Sequence, residues 1–353
     1  MLKIMECFAG IGACSKALEN LKIPHEIVDA VEIDKYAIKS FNAIHGTNFE
    51  PQDITAWDKD IECDLIMHGS PCQDFSLAGK QAGGDEGSGT RSSLMYETLR
   101  IVEKLKPKYV IWENVKNILS KKHIYNWECY CNRMNDLGYC NWCNVMNAKD
   151  YGVPQNRERV FTVSIRKDVS SDEFVFPKPK KLTKFLKDVI DSKVDDKYFL
   201  SEAQMQNFAK STFRSYRLFY DIDGISPTLT TMSGGNREPR IAIKTANKKG
   251  YDMAQNGDGI DLSYPNSNTR RGRVGHGVAK TISTEALQGV LDGTKIRKLT
   301  PKECWRLMGF DDESFGKAEK VNSSTQLYKQ AGNSICVPVL EGILRNLLNG
   351  ENS

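Results

Sequence analysis

Along the first 165 residues, short apolar runs alternate with stretches whose apolar positions recur at helical spacing. The runs 2–7, 26–32, 64–68, 109–112, 140–147 and 159–165 predict strands, and helical patterns fall between several of them. Alternation of this kind predicts a doubly wound, mainly parallel α/β sheet with crossover helices. Ligands of such sheets bind beyond the carboxyl ends of the strands, so the residues just after each run are where chemistry is expected. After about residue 185 the pattern turns irregular and rich in Gly, Asn, Ser and Thr, and the stretch 176–181, FPKPKK, reads as a linker. The last stretch, 335–348, regains helical periodicity and needs an apolar surface to pack on. The expected organisation is therefore one domain built from 1–185 and 325–353, with a second, smaller, loop-rich domain over 186–324. Two similar stretches, ISPTLTT (225–231) and VAKTIST (278–284), are too few to make a repeat architecture.

Composition adds limits to this outline. The 353 residues, 40% hydrophobic and 27% charged, exclude a disordered or collagen-like chain. No run of about 18 apolar residues occurs, and the start, MLKIMECFAG, lacks a signal-peptide core. A cytoplasmic protein without membrane contact is expected. Ten scattered cysteines fit reduced thiols rather than a disulfide framework. The net charge of +4 arises in 186–324, where 22 Lys/Arg face 18 Asp/Glu, the rest of the chain holding 27 of each. Lys210, Arg214 and Arg217 lie in an acid-free stretch, and Arg270, Arg271 and Arg273 cluster among glycines. Such clusters suit phosphate contacts and equally an ordinary solvated surface.

Several segments carry candidate chemistry. Phe8-Ala9-Gly10-Ile11-Gly12 follows the first strand, and its glycines permit close approach of a ligand at a helix N-terminus; a tight structural turn is the plain alternative. Glu32, 22 residues after Gly10, ends the second strand and suits ribose hydroxyls. Ser15 breaks the dinucleotide fingerprint G-x-G-x-x-G. Pro71-Cys72 follows the third strand, which points a cysteine at the ligand crevice, although a free cysteine is most often a small buried hydrophobe. The stretch 79–89, GKQAGGDEGSG, reads as a mobile lid or a passive surface loop, and Gln81 after Gly79-Lys80 excludes a P-loop. Glu113, placed beyond the fourth strand between apolar residues, suits a proton donor of raised pKa or a helix cap. Arg157 and Arg159 share a face of an extended segment, ready for one anionic site or for surface salt bridges. Gln330-Ala331-Gly332-Asn333-Ser334 reads as the opening of the last helix. Cys129-x-Cys131 and Cys140-x-x-Cys143 have zinc-like spacing, but helix and strand geometry turn each pair apart, so no metal is expected.

In this order, FAGIG, PCQ, ENV, QNRER, RKLTPKECWRLMGF (297–310) and QAGNS, the chain resembles the DNA cytosine C5 methyltransferase family over about 2–166 and 297–348. The resemblance implies the S-adenosylmethionine-dependent methyltransferase fold, a catalytic and cofactor-binding domain over 1–185 and 325–353, and a target-recognition domain over 186–324. It implies S-adenosylmethionine (SAM) as cofactor and double-stranded DNA as partner, with no obligate protein partner and a monomeric enzyme. It also implies Cys72 as the nucleophile at cytosine C6 and Glu113 at N3, with Arg159 close to the base and Arg157 nearby. Phe8, Gly10, Gly12, Glu32, Asp53, Ile54, Pro71, Leu94, Asn333 and Ser334 are the implied cofactor contacts. Ala13-Cys14 departs from the small pair frequent there, with local helix packing the expected consequence. Three other readings stand beside this one: methylation of RNA, a DNA-binding regulator without turnover, and a nicotinamide dehydrogenase suggested by Gly10-x-Gly12 alone.

Overall fold

The computed structural model describes all residues except 72–74, 76–83, 86, 171, 201–239, 249, 265–266, 285–286, 293–294 and 350–353. Strands β1 (Leu2–Cys7), β2 (His25–Val31), β3 (Leu65–His68), β4 (Tyr109–Val115), β5 (Tyr139–Asn147) and β6 (Glu158–Arg166) form one sheet in the order β2-β1-β3-β4-β6-β5. Neighbours among the first four are parallel, and β6 runs antiparallel to both β4 and β5. The central strands read as continuous apolar runs because both faces are covered. Ile4, Leu65, Met67, Tyr109 and Ile111 enter one core, while Met5, Cys7, Ile66, Val110 and Trp112 enter the other.

Helices α1 (Ala13–Leu21), α2 (Lys35–His45), α3 (Met95–Leu105), α4 (Ile124–Asp136), α5 (Pro301–Arg306), α6 (Asp312–Glu319), α7 (Ser324–Asn333) and α8 (Val337–Asn349) supply the layers. Apolar stripes of α1 and of the C-terminal helices close the first core, those of α3 and α4 the second. Asp34 caps α2 through the Tyr36 amide at 2.9 Å, and Asp311 caps α6 while binding Lys16 of α1 at 2.6 Å. Among the described residues no helix is long and apolar enough to cross a membrane.

The smaller unit holds β7 (Arg240–Lys244), β8 (Tyr251–Gln255), β9 (Gly259–Asp261), β10 (Val274–Gly275), β11 (Gln288–Asp292) and β12 (Lys295–Lys298), all antiparallel, as a β7-β8 pair and a sheet β10-β9-β11-β12. Its own core is slight: Ile243, Ala254, Ile260, Leu262, Val274, Leu291 and Ile296. Along β11 successive side chains point to opposite faces, so Leu291 enters this core and Val290 the large one.

Part of 186–324 packs into the large core: Leu186 is fully buried there, as are Leu299, Trp305, Leu307 and Phe310. Composition did not show this packing because α5 and α6 are too short to display a convincing period. The two crossings between domains are tied together. Arg297, fully buried, meets both oxygens of Glu303 at 2.9 Å, and the same carboxylate accepts from the backbone amides of Thr300 (2.7 Å) and Asp191 (2.8 Å). Thr300 also caps α5 in a capping box with Glu303, and Pro301 occupies the first helical turn.

Candidate active site

Strand register builds the site. Cys7 pairs with Val31 on one side and His68 on the other, and His68 pairs with Trp112. The next residue on each chain is therefore Glu32, Phe8, Gly69 or Glu113, a row along the carboxyl crest where the strand order reverses between β1 and β3. A cleft with about 380 Å³ of empty space, part of it open to solvent, lies there and is lined by Glu6, Cys7, Phe8, Ala9, Gly10, Ala13, Met67, Gly69, Glu113, Asn333, Ser334 and Ile335.

The loop after β1 is shaped by left-handed backbone at alternate residues: Phe8 (φ 54°), Gly10 (φ 57°) and Gly12 (φ 79°). A non-glycine residue at positive φ is uncommon and signals a conformation that its surroundings enforce. Glu32 helps enforce it, one carboxylate oxygen accepting from the Gly10 amide at 3.0 Å and the other from the Asp34 amide at 2.8 Å. Burial raises the pKa of this carboxyl against those hydrogen bonds. At Gly12 packing also demands glycine, since a Cβ there would overlap the His45 ring and crowd Phe41. The helix N-terminus is not open to an anion. Glu6, 3% exposed, accepts from the amides of Cys14 (3.2 Å) and Ser15 (2.9 Å), and burial raises its pKa. Sequence reading passed over Glu6, whose one signal was an acid inside an otherwise apolar strand.

Glu113 lies within β4 rather than beyond it, because β4 continues to Val115 in register with β6, Glu113 opposite Phe161 and Val115 opposite Arg159. Its Oε1 meets Arg159 Nε at 3.0 Å, and its Oε2 lies near Gly69. Burial pushes the Glu113 carboxyl above the usual carboxylate range, opposed by the guanidinium groups of Arg159 and Arg157. Arg157 does not present its charge to a ligand. It is 4% exposed and donates to the carbonyls of Ile282 (3.2 Å), Gly332 (3.2 Å) and Ser334 (2.8 Å). The two arginines thus divide, one to the carboxylate and one to the seam between domains. That seam is completed by Gln155, bound to Leu307 O and to the Ile282 amide, and by Asn156 paired with Ala279. Gly332 is required there because a Cβ would overlap the Ser283 backbone.

Cys72 lies outside the described residues, as do most of 79–89, the cluster Lys210, Arg214 and Arg217, and the stretch 225–231. The residues leading to Cys72 are held firmly. Trp112 Nε1 donates to Ser70 Oγ at 2.9 Å, Asn114 Nδ2 to Ser70 O at 3.4 Å, and Pro71 is half-buried. Behind them His68 stacks parallel to Trp112 and shares a 3.0 Å hydrogen bond with the Tyr130 hydroxyl, its pKa lowered by burial to about 3. Of 79–89, Gly84 is buried and its amide donates to Asn126 Oδ1 at 3.0 Å.

Other expected residues border the cleft without lining it. Gln52 pairs with the Glu32 carbonyl at 2.8 Å, which sets Asp53 and buried Ile54 beside the end of β2; Asp53 caps the short turn Ile54–Ala56. Leu94 packs half-buried on the second core. Asn333 and Ser334 do line the cleft, but at the end of α7 rather than at the start of α8, and Gln330 ties α7 to Ser40 and Tyr36 of α2. Cys131 stands on α4 and Cys143 on β5, and among the described residues no three His, Cys, Asp or Glu gather as metal ligands.

Comparison with known proteins adds the following. Residues 2–349 match the C-5 cytosine-specific DNA methylase family. The chain is 33% identical to the orphan methyltransferase M.SPBetaI of Bacillus phage SPbeta, over 99% of this chain and 98% of that one. It is 35% identical to the type II methyltransferase M.HhaI of Haemophilus parahaemolyticus, over 98% and 94%. Among solved structures, the fold is similar to a DNMT2 mutant of Spodoptera frugiperda (TM-score 0.64, 20% identity, 98% and 99% covered). A putative DNA modification methyltransferase from an E. coli prophage is similar too (TM-score 0.62, 21% identity, 100% of both chains).

Proposed function

The chain belongs to the C-5 cytosine-specific DNA methylase family and is a DNA (cytosine-5-)-methyltransferase, and we propose that it moves a methyl group from SAM to C5 of a cytosine in a specific duplex sequence through a covalent adduct of Cys72. One observation carries this reading: a buried carboxyl of raised pKa, Glu113, stands on the crest beside Gly69, steered by Arg159. A carboxyl whose proton affinity is raised by burial is suited to give a proton or hydrogen bond to cytosine N3.

The cleft fits the cofactor. Phe8 and Gly10 offer a shaped backbone wall, and Glu32, fixed by two amides, keeps lone pairs for a ribose diol. Asn333 and Ser334 would close the far side around the bound cofactor, and Asp53 and Ile54 would flank its adenine, with Pro71 and Leu94 bordering the pocket. Bound there, SAM supplies an electrophilic methyl group on a sulfonium.

Cytosine C5 is a weak nucleophile within its aromatic ring. Addition of the Cys72 thiolate forms the S–C6 bond while N3 accepts the Glu113 proton, which leaves electron density at C5. C5 then takes the methyl group. A base or water removes the C5 proton, the S–C6 pair returns to sulfur, N3 returns its proton to Glu113, and aromaticity is restored. Inside a duplex the ring faces are covered, so the base must leave the stack at a cost of a few kcal/mol. The smaller domain holds the opened duplex through phosphates and reads base edges in the major groove.

Cys72→Ala is expected to keep DNA binding and lose all transfer of tritiated methyl from labelled SAM; normal turnover by this variant sinks the mechanism. Duplex DNA carrying 5-fluorocytosine is expected to trap a covalent complex, because fluorine cannot leave C5 as a proton. Failure to trap an adduct after methyl transfer argues against Cys72 addition.

A further inference from the structure

The loop between β9 and β10 contains a backbone feature that methyl transfer does not use. Tyr264 has φ 45°, in the left-handed region, and its side chain is 73% exposed. Arg273 fixes this turn. It is 1% exposed, and its guanidinium donates to the carbonyls of Asp261 (3.0 Å), Ser263 (2.7 Å) and Tyr264. A buried guanidinium is tolerated only with its N–H groups matched in this way, so the conformation is built in. Around the ring, Arg270 lies 5.8 Å from the Tyr264 centroid while pairing with Asp261 at 2.8 Å, and exposed Arg271 leans on the Ala246 carbonyl at 3.1 Å.

An exposed ring in a strained conformation does nothing for the core of this small domain. Such strain is held only where the surroundings over-determine it, and it often clusters at ligand-contacting sites. The chemistry offered is an exposed aromatic ring beside two guanidinium groups, which matches the base edges and phosphates of a duplex. The same loop runs through β10 into 277–284, the stretch that meets Arg157 and Gly332 at the edge of the cleft.

We infer that Tyr264 is a DNA-contacting, specificity-determining residue: its ring packs against base edges in a groove of the duplex, Arg270 and Arg271 face adjoining phosphates, and Arg273 is the positioning residue that keeps the ring presented. This inference rests on the proposed methylation of duplex DNA.

The test uses the full chain and plasmid DNA, with methylated cytosines located by bisulfite sequencing. Tyr264→Gly keeps the left-handed turn and removes the ring; Tyr264→Asn, which also accepts that backbone, guards against loop collapse; Tyr264→Phe keeps the ring. The glycine and asparagine variants are expected to lose about tenfold or more in kcat/KM for DNA, the size of one lost base-edge contact, with altered preference among sites. SAM affinity by calorimetry stays unchanged, and Tyr264→Phe stays within about twofold of wild type. Arg271→Gln is expected to weaken binding evenly across sites and flatten its salt dependence, as a phosphate contact does. Wild-type kcat/KM and an unchanged site pattern in both Tyr264→Gly and Tyr264→Asn overturn the inference while leaving the methyl-transfer reading intact. Wild-type protein that transfers no methyl group to duplex DNA overturns that reading and the inference with it.

Discussion

Two glutamate–arginine pairs in this molecule use the same side chains to opposite ends. At the domain crossing, Glu303 and Arg297 are fully buried, and the carboxylate takes two guanidinium nitrogens and two backbone amides. On the crest, Glu113 takes one nitrogen of Arg159 at one oxygen, and the pair lies at the edge of the cleft. Completeness of pairing separates structure from chemistry. A carboxylate whose acceptor sites are all filled holds the chain in place, whereas one with an unfilled oxygen in a buried place has its proton affinity raised and can give that proton away.

The contrast can be broken by exchange of the mutated pair. Glu113→Gln is expected to lower kcat by about 10²- to 10⁴-fold, the usual worth of a general acid, with the melting temperature nearly unchanged; a comparable loss of stability in place of activity would make Glu113 structural. Arg297→Ala should cost about 3–5 kcal/mol of stability in denaturant titration, because it strands a buried carboxylate. Replacing Glu303 as well, Arg297→Met with Glu303→Leu, should not restore it, because the Thr300 and Asp191 amides then lose their acceptor. Thr300→Ala, which removes only the cap of α5, should cost about 1 kcal/mol. The last expected effect is a displacement along the pH axis. Folding raises the Glu113 pKa, so its protonated form favours the folded state below the ordinary carboxyl range, and both that contribution and the acid function fade as pH rises through the raised value. Arg159→Met removes a charge that opposes the shift, so the basic limb of the pH–rate profile should move to higher pH. A limb that stays or moves lower would show that Glu113 does not set it.

Much of the large domain could be read from the chain because its central strands are buried on both faces and therefore apolar throughout, which is visible without knowing their neighbours. Strand direction was not visible: Glu113 reads as beyond its strand only until β6 is known to run antiparallel beside it. The cleft was legible at Phe8, Gly10, Asn333 and Ser334, which line it. Gly12, Glu6 and Arg157 were not, since their roles depend on His45, the α1 amides and the Ile282, Gly332 and Ser334 carbonyls, partners between 8 and 177 residues away. Tyr264 gave no signal at all, because left-handed backbone at a tyrosine is dictated by a buried arginine and not by composition.

The tie among Asp191, Arg297 and Glu303 has a consequence for how this protein can change over time. The chain departs and returns through one doorway whose two posts are fastened together, so what hangs between them can lengthen, shorten or be replaced at little added entropic cost to the remainder, the closure penalty growing only with the logarithm of length. On the proposed reading, in which the smaller unit reads the DNA, a unit mounted in this way is a cassette. New sequence preferences can be acquired by exchanging it, provided the newcomer still offers a strand like 279–283 for Arg157 and Gly332 to grip, and the methyl-transfer machinery need not alter at all.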